Sequence, residues 1–170
     1  MKKCIPFFFL IFSLYIAAQN PIVPAGVFIA DPEAHVWDDG RLYIYGSKDE
    51  SSDFWCSHNH HVLSTNNLTD WTMDENVFSS NGKNDQVAYN DKLLFAPDCA
   101  YNNGKYYMYY CSPKGSTKTK ETGVAVSDFP NGPFKKGIRI QGVNEIDPAV
   151  LMDDDGQGYL YWGQGNAKVA

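Results

Sequence analysis

The sequence predicts an all-β protein of the propeller class, in which four-stranded antiparallel sheets repeat along the chain. The first observation is a sequence motif that occurs three times. It consists of an aspartate beside a proline, a short apolar strand, a turn ending in glycine and a tyrosine-rich strand. The copies occupy residues 30–46, 96–110 and 146–163. The second observation is an apolar pattern of period two, with no segment of helical periodicity. A long-period repeat of strand pairs is typical of propellers and similar arrays.

The first copy begins a unit of four short strands. A tight turn follows the first strand at Asp38-Asp39-Gly40, where the glycine supplies a positive φ. A polar, irregular segment at 47–59 separates the second strand from the third, and a polar loop is predicted at 78–91. The predicted strands of this unit are 27–37, 41–46, 60–65 and one around Trp71.

The second copy begins a matching unit. Its hairpin covers 93–111, its third strand covers 123–127, and a turn at 129–134 leads to a fourth strand. The segment before Trp71 in the first unit corresponds to the segment before Phe134 in the second. The repeat therefore extends over all four strands and is more than a repeated hairpin.

The third copy is followed by only a few residues, with a third strand beginning within 165–170. We therefore expect two whole units and about half of another. Because propellers usually close with about 4–8 blades, the sequence is interpreted as the front part of a larger protein, with an incomplete propeller.

Residues 1–18 are predicted to be a secretory signal peptide and not part of the fold. A basic start at residues 1–3 precedes a nearly continuous apolar run from Ile5 to Ile16, and Ala17-Ala18 offers a small-residue cleavage site. The run is too short to span a membrane. We therefore predict export to the periplasm or the extracellular space, no membrane association after cleavage, and one domain over residues 19–170.

Composition excludes one class of partner and suits another. The formal net charge of −6 argues against nucleic acid, whose phosphates require a basic face. Aromatic residues make up 15 % of the chain, and most of them are expected to pack on pleated surfaces. An excess of Tyr and Trp also suits a site that handles sugar rings.

The cysteines are predicted to be structural. Cleavage of the signal peptide leaves Cys56, Cys99 and Cys111, an odd number that is incompatible with a complete disulfide framework in this stretch. Their spacing fits no metal motif. Cys99 and Cys111 lie in strand-like runs and are predicted to be buried small apolar residues. A Cys99–Cys111 bridge across the hairpin is the alternative.

Two clusters of metal-ligating residue types are given ordinary interpretations. His58, His60 and His61 are predicted to lie in a solvated loop, with metal binding as the alternative. The run 153–156 resembles part of a calcium loop, but the downstream glutamate of such a loop is missing, so a hairpin turn is predicted. The sequence therefore predicts no metal site.

Three aspartates are the candidate catalytic groups. In a propeller the first strand of each blade lines the central axis, and Asp31, Asp98 and Asp147 begin the repeated first strands. We therefore expect them to converge at one mouth of the channel. Carboxylates crowded beside aromatic residues perform acid–base chemistry on glycosidic bonds. The alternative is that an aspartate beside a proline only starts a turn.

An ordered set of motifs resembles glycoside hydrolase family 43. The motifs are Ala30-Asp31-Pro32-Glu33, Tyr45-Gly46-Ser47, Ala96-Pro97-Asp98, Gly132-Pro133-Phe134 and Ile146-Asp147-Pro148-Ala149. The resemblance covers residues 20–170, and the order of the motifs is more specific than any one of them. It implies a five-bladed propeller that acts on arabinose- and xylose-containing polysaccharides or oligosaccharides.

The same resemblance implies roles for individual residues. Asp31 would be the general base that activates water, and Asp147 would orient the general acid and tune its pKa. The acid would be a glutamate on a later blade; no residue of this chain matches it, and Glu145 is not assigned that role. The implied chemistry is a single displacement with inversion, in which acid and base lie roughly 6.5–9.5 Å apart. We therefore expect the chain by itself to be inactive.

Aromatic residues are the candidate sugar-binding groups. Phe95 stands where the family often has an aromatic residue before Ala-Pro-Asp, and it would stack on the sugar at the cleavage point, with core packing as the alternative. Phe95 and Asp98 are thus the predicted substrate-binding residues. Trp37, Trp55 and Trp162 are predicted to pack in the core or between blades.

The predicted function is that of an exported O-glycosyl hydrolase of the α-L-arabinofuranosidase or β-xylosidase type. The resemblance implies no cofactor for the chemistry. It also implies a structural calcium in the channel of the complete protein, with ligands beyond the residues present here. A non-catalytic, carbohydrate-binding propeller is the alternative function, and it would keep the aromatic mouth but lack a working acid.

Overall fold

The structure, a computed structural model, describes residue 23, residues 25–113 and residues 120–170. The predicted signal peptide lies outside this part of the chain. No helix among the described residues has the length and apolar character needed to cross a membrane. The elements are β1 (Ile29–Val36), β2 (Leu42–Lys48), β3 (Asn59–Thr65), β4 (Trp71–Ser79), a 3₁₀ turn (Gly82–Asn84), β5 (Phe95–Asn102), β6 (Lys105–Ser112), β7 (Glu121–Ser127), β8 (Lys135–Arg139), β9 (Ala149–Met152), β10 (Gly158–Trp162) and β11 (Lys168–Val169).

The strands form three antiparallel sheets, which we call blades 1, 2 and 3. Their strand orders are β1-β2-β3-β4, β5-β6-β7-β8 and β9-β10-β11. The prediction of two four-stranded units and part of a third is confirmed. The polar loop predicted from residue 78 is wrong at its start, because β4 continues to Ser79. Val77 and Phe78 are buried there, so packing extends the strand beyond the point where the sequence becomes polar.

The main core lies between blades 1 and 2. Successive side chains of a strand point to opposite faces, so alternate residues of blade 1 face blade 2. Tyr45, Val62 and Phe78 do so and are fully buried against Met108 and Tyr110 of blade 2. The Phe78 and Tyr110 rings lie 4.7 Å apart between centroids. Burying each large apolar side chain stabilises the fold by about 1.5–3 kcal/mol, so this interface holds the two blades together.

The first strands of the blades lie side by side. β5 contacts β1 on one side and β9 on the other. Asp98 of β5 accepts a hydrogen bond from His35 of β1 at 2.8 Å and from the backbone N–H of Val150 in β9 at 2.5 Å. This placement of the first strands around a common axis is the arrangement of a β-propeller. The mouth of the channel lies where these strands begin.

Glycines close the three repeated hairpins, as the sequence predicts. Gly40, Gly104 and Gly156 have φ values of 73°, 77° and 85°, which only glycine adopts without strain. In the third hairpin the Gly156 N–H donates to the carbonyl of Asp153 at 2.9 Å. The acidic run 153–156 is therefore a hairpin turn, and its prediction is confirmed.

The three described cysteines are buried free thiols, as predicted for Cys99 and Cys111. Cys56, Cys99 and Cys111 are each no more than 3 % exposed. Cys111 lies opposite Phe95 in the β5–β6 ladder, whereas Cys99 lies opposite Met108. The alternative of a Cys99–Cys111 bridge is therefore wrong, because the two residues are not cross-strand partners.

The prediction of a solvated loop is wrong for His60 and His61, whereas His58 lies outside the strands, in the connection before β3. His60 and His61 lie in β3 and are 0 % and 2 % exposed. They point to opposite faces of blade 1, and burial lowers the pKa of His60 to about 3. Their polarity suggests a loop, but the apolar residues Val62 and Leu63 that follow extend the strand through them. The described residues hold no metal-ligating cluster at these histidines.

Candidate active site

The mouth of the channel is shaped by one unusual backbone position in each first strand. Asp31, Ala96 and Asp147 each precede a proline, and their φ values are 48°, 26° and 60°. The ladder slips between Ala30 and Glu33 in blade 1, and between Phe95 and Asp98 in blade 2. Proline cannot donate to the ladder, and such bulges re-aim side chains next to active sites. Asp31 and Asp147 both line the cleft at the mouth, whereas Ala96 is packed in a buried cluster with Cys111 and Ile146.

Only two of the three predicted aspartates meet there. Asp31 and Asp147 line the same cleft, and Ala96 occupies the corresponding position in blade 2. Asp98 lies two residues farther along and is 3 % exposed. The expectation that all three converge is therefore wrong for Asp98. The reason is the order of the residues: the outer motifs read Asp-Pro, but the middle one reads Pro-Asp, and two positions along a strand move a side chain by about 6.6 Å.

The cleft has a volume of about 710 Å³. Asp31 and Asp147 lie in it together with two aromatic residues, Phe95 and Trp55. A volume of this size lies within the range of clefts that bury a small organic ligand. The cleft therefore combines two carboxylates with apolar surface, the combination that sugar chemistry requires.

The two carboxylates influence each other. Partial burial raises the pKa of Asp147, the negative charge of Asp31 raises it further, and the nearby Lys120 opposes the shift. The backbone N–H of Asp147 donates to the Cys111 thiol at 3.4 Å, which ties the mouth to the buried cluster beneath it. A second negative charge is therefore disfavoured in the cleft, and the pair can respond to a proton or to a positively charged transition state.

Glu145 lies close in sequence to Asp147 but is bonded elsewhere. Its carboxylate accepts a hydrogen bond from Lys168 at 2.6 Å. That bond holds the pKa of Glu145 below its usual range. A carboxylate that stays ionised is a poor proton donor at neutral pH, which agrees with leaving Glu145 out of the acid role.

The aromatic candidates have different environments. Trp37 packs against the main core and donates from Nε1 to the Tyr45 hydroxyl at 3.0 Å, so its predicted core role is confirmed. Trp162 is half-buried in β10. Trp55 is 83 % exposed, so the prediction that it packs inside is wrong. It lies in the polar connection between β2 and β3, where few apolar neighbours are available to cover it.

Sequence reasoning missed a cluster deeper in the channel. The ligand atoms of Glu33, His35 and Asp98 lie within 4.8 Å of one another. Glu33 and His35 alternate along β1, so both point to the axis. That spacing of two was a usable signal, but Asp98 joins the cluster only through the packing of β5 against β1.

A family model described as glycosyl hydrolases family 43 matches residues 18–169. Among curated proteins, the xylosidase/arabinosidase 43A of Humicola insolens is 38 % identical over 148 residues, which cover 81 % of this chain and 44 % of that protein. The chain therefore spans less than half the length of this relative.

Solved structures of family 43 enzymes are also similar to this chain. The GH43_1 enzyme of Xanthomonas citri complexed with xylotriose is 39 % identical, with a TM-score of 0.73, over 84 % of this chain and 41 % of that one. CoXyl43, a β-xylosidase/α-arabinofuranosidase from a compost metagenome in a calcium-free form with xylotriose, is 36 % identical, with a TM-score of 0.73, over 85 % of this chain and 44 % of that one.

Proposed function

This chain belongs to family 43 of the glycosyl hydrolases, and from that premise we propose that the complete protein hydrolyses xylose- or arabinose-containing oligosaccharides and polysaccharides. The observation that carries the proposal is the pairing of Asp31 and Asp147 in one cleft with Phe95. The matched relative and structures are named as xylosidases, arabinosidases or complexes with xylotriose, which favours pentose substrates.

In the proposed reaction Asp31 removes a proton from the attacking water. The water attacks the anomeric carbon, the glycosidic bond breaks, and the leaving oxygen receives a proton from a glutamate on a later blade. Asp147 holds that acid in place, and its negative charge keeps the pKa of the acid raised. One displacement inverts the anomeric centre, since the base and the acid act from opposite sides of the sugar ring.

The test is release of sugar by the complete protein. Nitrophenyl β-xyloside, nitrophenyl α-arabinofuranoside and xylotriose are the substrates, and proton NMR at early times reports the anomer first released. We expect hydrolysis with inversion, and we expect the 170-residue chain alone to release nothing. Binding of xylotriose without any hydrolysis would favour the alternative, a non-catalytic carbohydrate-binding propeller.

We further propose that the complete protein holds a structural calcium in its channel. The carboxylates of Glu33 and Asp98 are hard oxygen donors, and His35 lies beside them, so these residues fit part of a calcium site. Glu33 is exposed to the channel, whereas both Asp98 oxygens already accept hydrogen bonds from the protein. A calcium there would tie blades 1 and 2 together and would neutralise negative charge near the mouth. Loss of thermal stability on chelation, recovered with calcium, is the expected result.

Export is likewise proposed. The basic start, apolar run and Ala17-Ala18 of the first eighteen residues favour cleavage before Gln19. Sequencing the N-terminus of the protein recovered outside the cytoplasm checks this. A mature protein that still begins at Met1 would contradict it.

A further inference from the structure

Trp55 has no packing role that explains its position. It is the most exposed of the large hydrophobic side chains in the described residues, at 83 %. Large apolar surface left open to water inside a cleft marks a place where a ligand binds. Trp55 lines the cleft that contains Asp31 and Asp147. Its neighbour Phe54 is also exposed, at 49 %, but does not line the cleft.

The cleft also carries polar groups from other blades. Lys120 donates from Nζ to the side-chain carbonyl of Gln164 at 2.6 Å, and both residues line the cleft. The backbone N–H of Gln164 in turn donates to Glu145 at 3.3 Å. Glu145 therefore holds the Gln164 segment in place. Lys120 and Gln164 keep further donor hydrogens available to a ligand.

This combination matches the two kinds of surface on a sugar ring. A pyranose or furanose presents C–H groups on its face and hydroxyls around its rim. An indole accepts the face, and amide and ammonium groups bind the rim. Phe95 packs on the buried cluster of Ala96, Cys111 and Ile146, so it lies at the floor of the cleft, while Trp55 lies at its open side.

We propose that Trp55 forms a separate subsite for the sugar residue next to the one whose bond is broken, with Lys120 and Gln164 binding hydroxyls of the bound chain. The proposal rests on the proposed function, because it assumes a carbohydrate in this cleft. Trp55 would strengthen the binding of longer chains and would take no part in bond cleavage. Substrates with a single sugar and a small leaving group would not reach Trp55.

The experiment compares two substrates in three versions of the complete protein. Trp55→Ala is the test, Trp55→Phe is the conservative replacement, and Phe54→Ala is the matched control for losing an exposed aromatic residue. For xylotriose we expect Trp55→Ala to raise KM about tenfold, with kcat little changed, because stacking of this kind is worth about a factor of ten in binding. Trp55→Phe should recover most of the loss.

β-Xylosyl fluoride separates this subsite from the reacting one, because its leaving group is a single fluoride. The aromatic ring of a nitrophenyl glycoside would itself stack on Trp55. We expect Trp55→Ala to leave the KM for β-xylosyl fluoride unchanged, and Phe54→Ala to leave both substrates unchanged. An equal rise in KM for both substrates would overturn the proposal by placing Trp55 at the reacting sugar. The same KM for xylotriose in Trp55→Ala and Phe54→Ala would overturn it by placing Trp55 outside the binding site.

Binding measured without catalysis keeps this result distinct from the proposed function. Titration of xylotriose into the Asp31→Asn variant, followed by calorimetry, reports affinity in a protein whose turnover is slowed about 10²–10⁴-fold. About tenfold weaker binding on adding Trp55→Ala supports the subsite even if the unmodified protein hydrolyses nothing. Unchanged binding on adding Trp55→Ala, in a protein that does hydrolyse, overturns the subsite alone.

Discussion

Asp98 in β5 and Asp147, two residues before β9, belong to neighbouring blades and have opposite surroundings. Asp147 faces the cleft, where partial burial and the charge of Asp31 raise its pKa. Asp98 is 3 % exposed, and its carboxylate accepts hydrogen bonds from His35 of blade 1, from the Cys99 N–H of its own strand and from the Val150 N–H of blade 3.

The difference shows how position along a strand decides what a carboxylate does. Both residues are aspartates next to a proline. Asp147 is open to the cleft, whereas Asp98 is buried and hydrogen-bonded to residues of all three blades. A buried carboxylate that accepts hydrogen bonds from three strands contributes to folding. A charge that its neighbours disfavour is available for chemistry.

The largest effect is expected on turnover, from substitution of Asp31 at the mouth of the channel. Asp31→Asn in the complete protein should lower kcat for xylotriose by about 10²–10⁴-fold, since that is what general-base catalysis contributes. The melting temperature should change little, because Asp31 is exposed and its substitution removes only the repulsion with Asp147. Asp38→Asn, which removes an exposed carboxylate at the far end of the same hairpin, is the control for kinetics and stability. Near-normal turnover of Asp31→Asn would rule out its role as base.

The second-largest effect is expected on stability, at the buried carboxylate of Asp98. Asp98→Ala should lower the free energy of unfolding by about 3 kcal/mol, because it leaves buried donors without an acceptor. Asp128→Ala removes an exposed carboxylate paired with Lys105 and should leave the free energy of unfolding nearly unchanged, because solvent screens surface ion pairs. Urea unfolding in the presence of a chelator makes the measurement independent of any bound metal. Unchanged stability with lost sugar binding would instead favour the predicted substrate-binding role of Asp98.

A smaller kinetic effect is expected for Asp147→Asn. Removing its negative charge should lower the pKa of the general acid, so the high-pH side of the kcat profile should move to lower pH. Turnover at the optimum should fall less than in Asp31→Asn. The profile of kcat against pH on xylotriose checks this. A profile with unchanged limbs would show that Asp147 does not interact with the acid.

The smallest effect is a pH-dependent gain in stability from Asp147→Asn. The folded protein raises the pKa of Asp147, so ionisation opposes folding above that pKa and has no effect where the group is protonated in both states. The variant should therefore melt slightly higher than the parent at neutral pH, and the difference should vanish below the usual pKa of an aspartate. Melting curves from pH 3 to pH 8 measure it. A difference that grows as the pH falls would have the wrong sign.

Much of the architecture could be predicted from the sequence. Period-two alternation, glycine turns and the threefold motif identified the strands, the hairpins and the repeat, because each depends on residues that are neighbours in the chain. The family motifs identified Asp31 and Asp147, which the structure brings into one cleft.

Other features depended on contacts between blades. The burial of His60 and His61, the exposure of Trp55 and the grouping of Glu33 and His35 with Asp98 all follow from which sheet faces pack together. Local polarity does not encode that packing.

The sequence by itself therefore determined most of the elements and three candidate aspartates, of which the family resemblance assigned catalytic roles to Asp31 and Asp147. Only the tertiary structure decided which carboxylates share a site, because the bulges in β1 and β5 and the packing of β1, β5 and β9 fix where each side chain points. Asp98 lies two residues beyond the position in β5 that corresponds to Asp31, and the composition of the motif does not reveal this shift. In space the shift separates Asp98, buried in the channel wall, from Asp31 and Asp147 at its mouth.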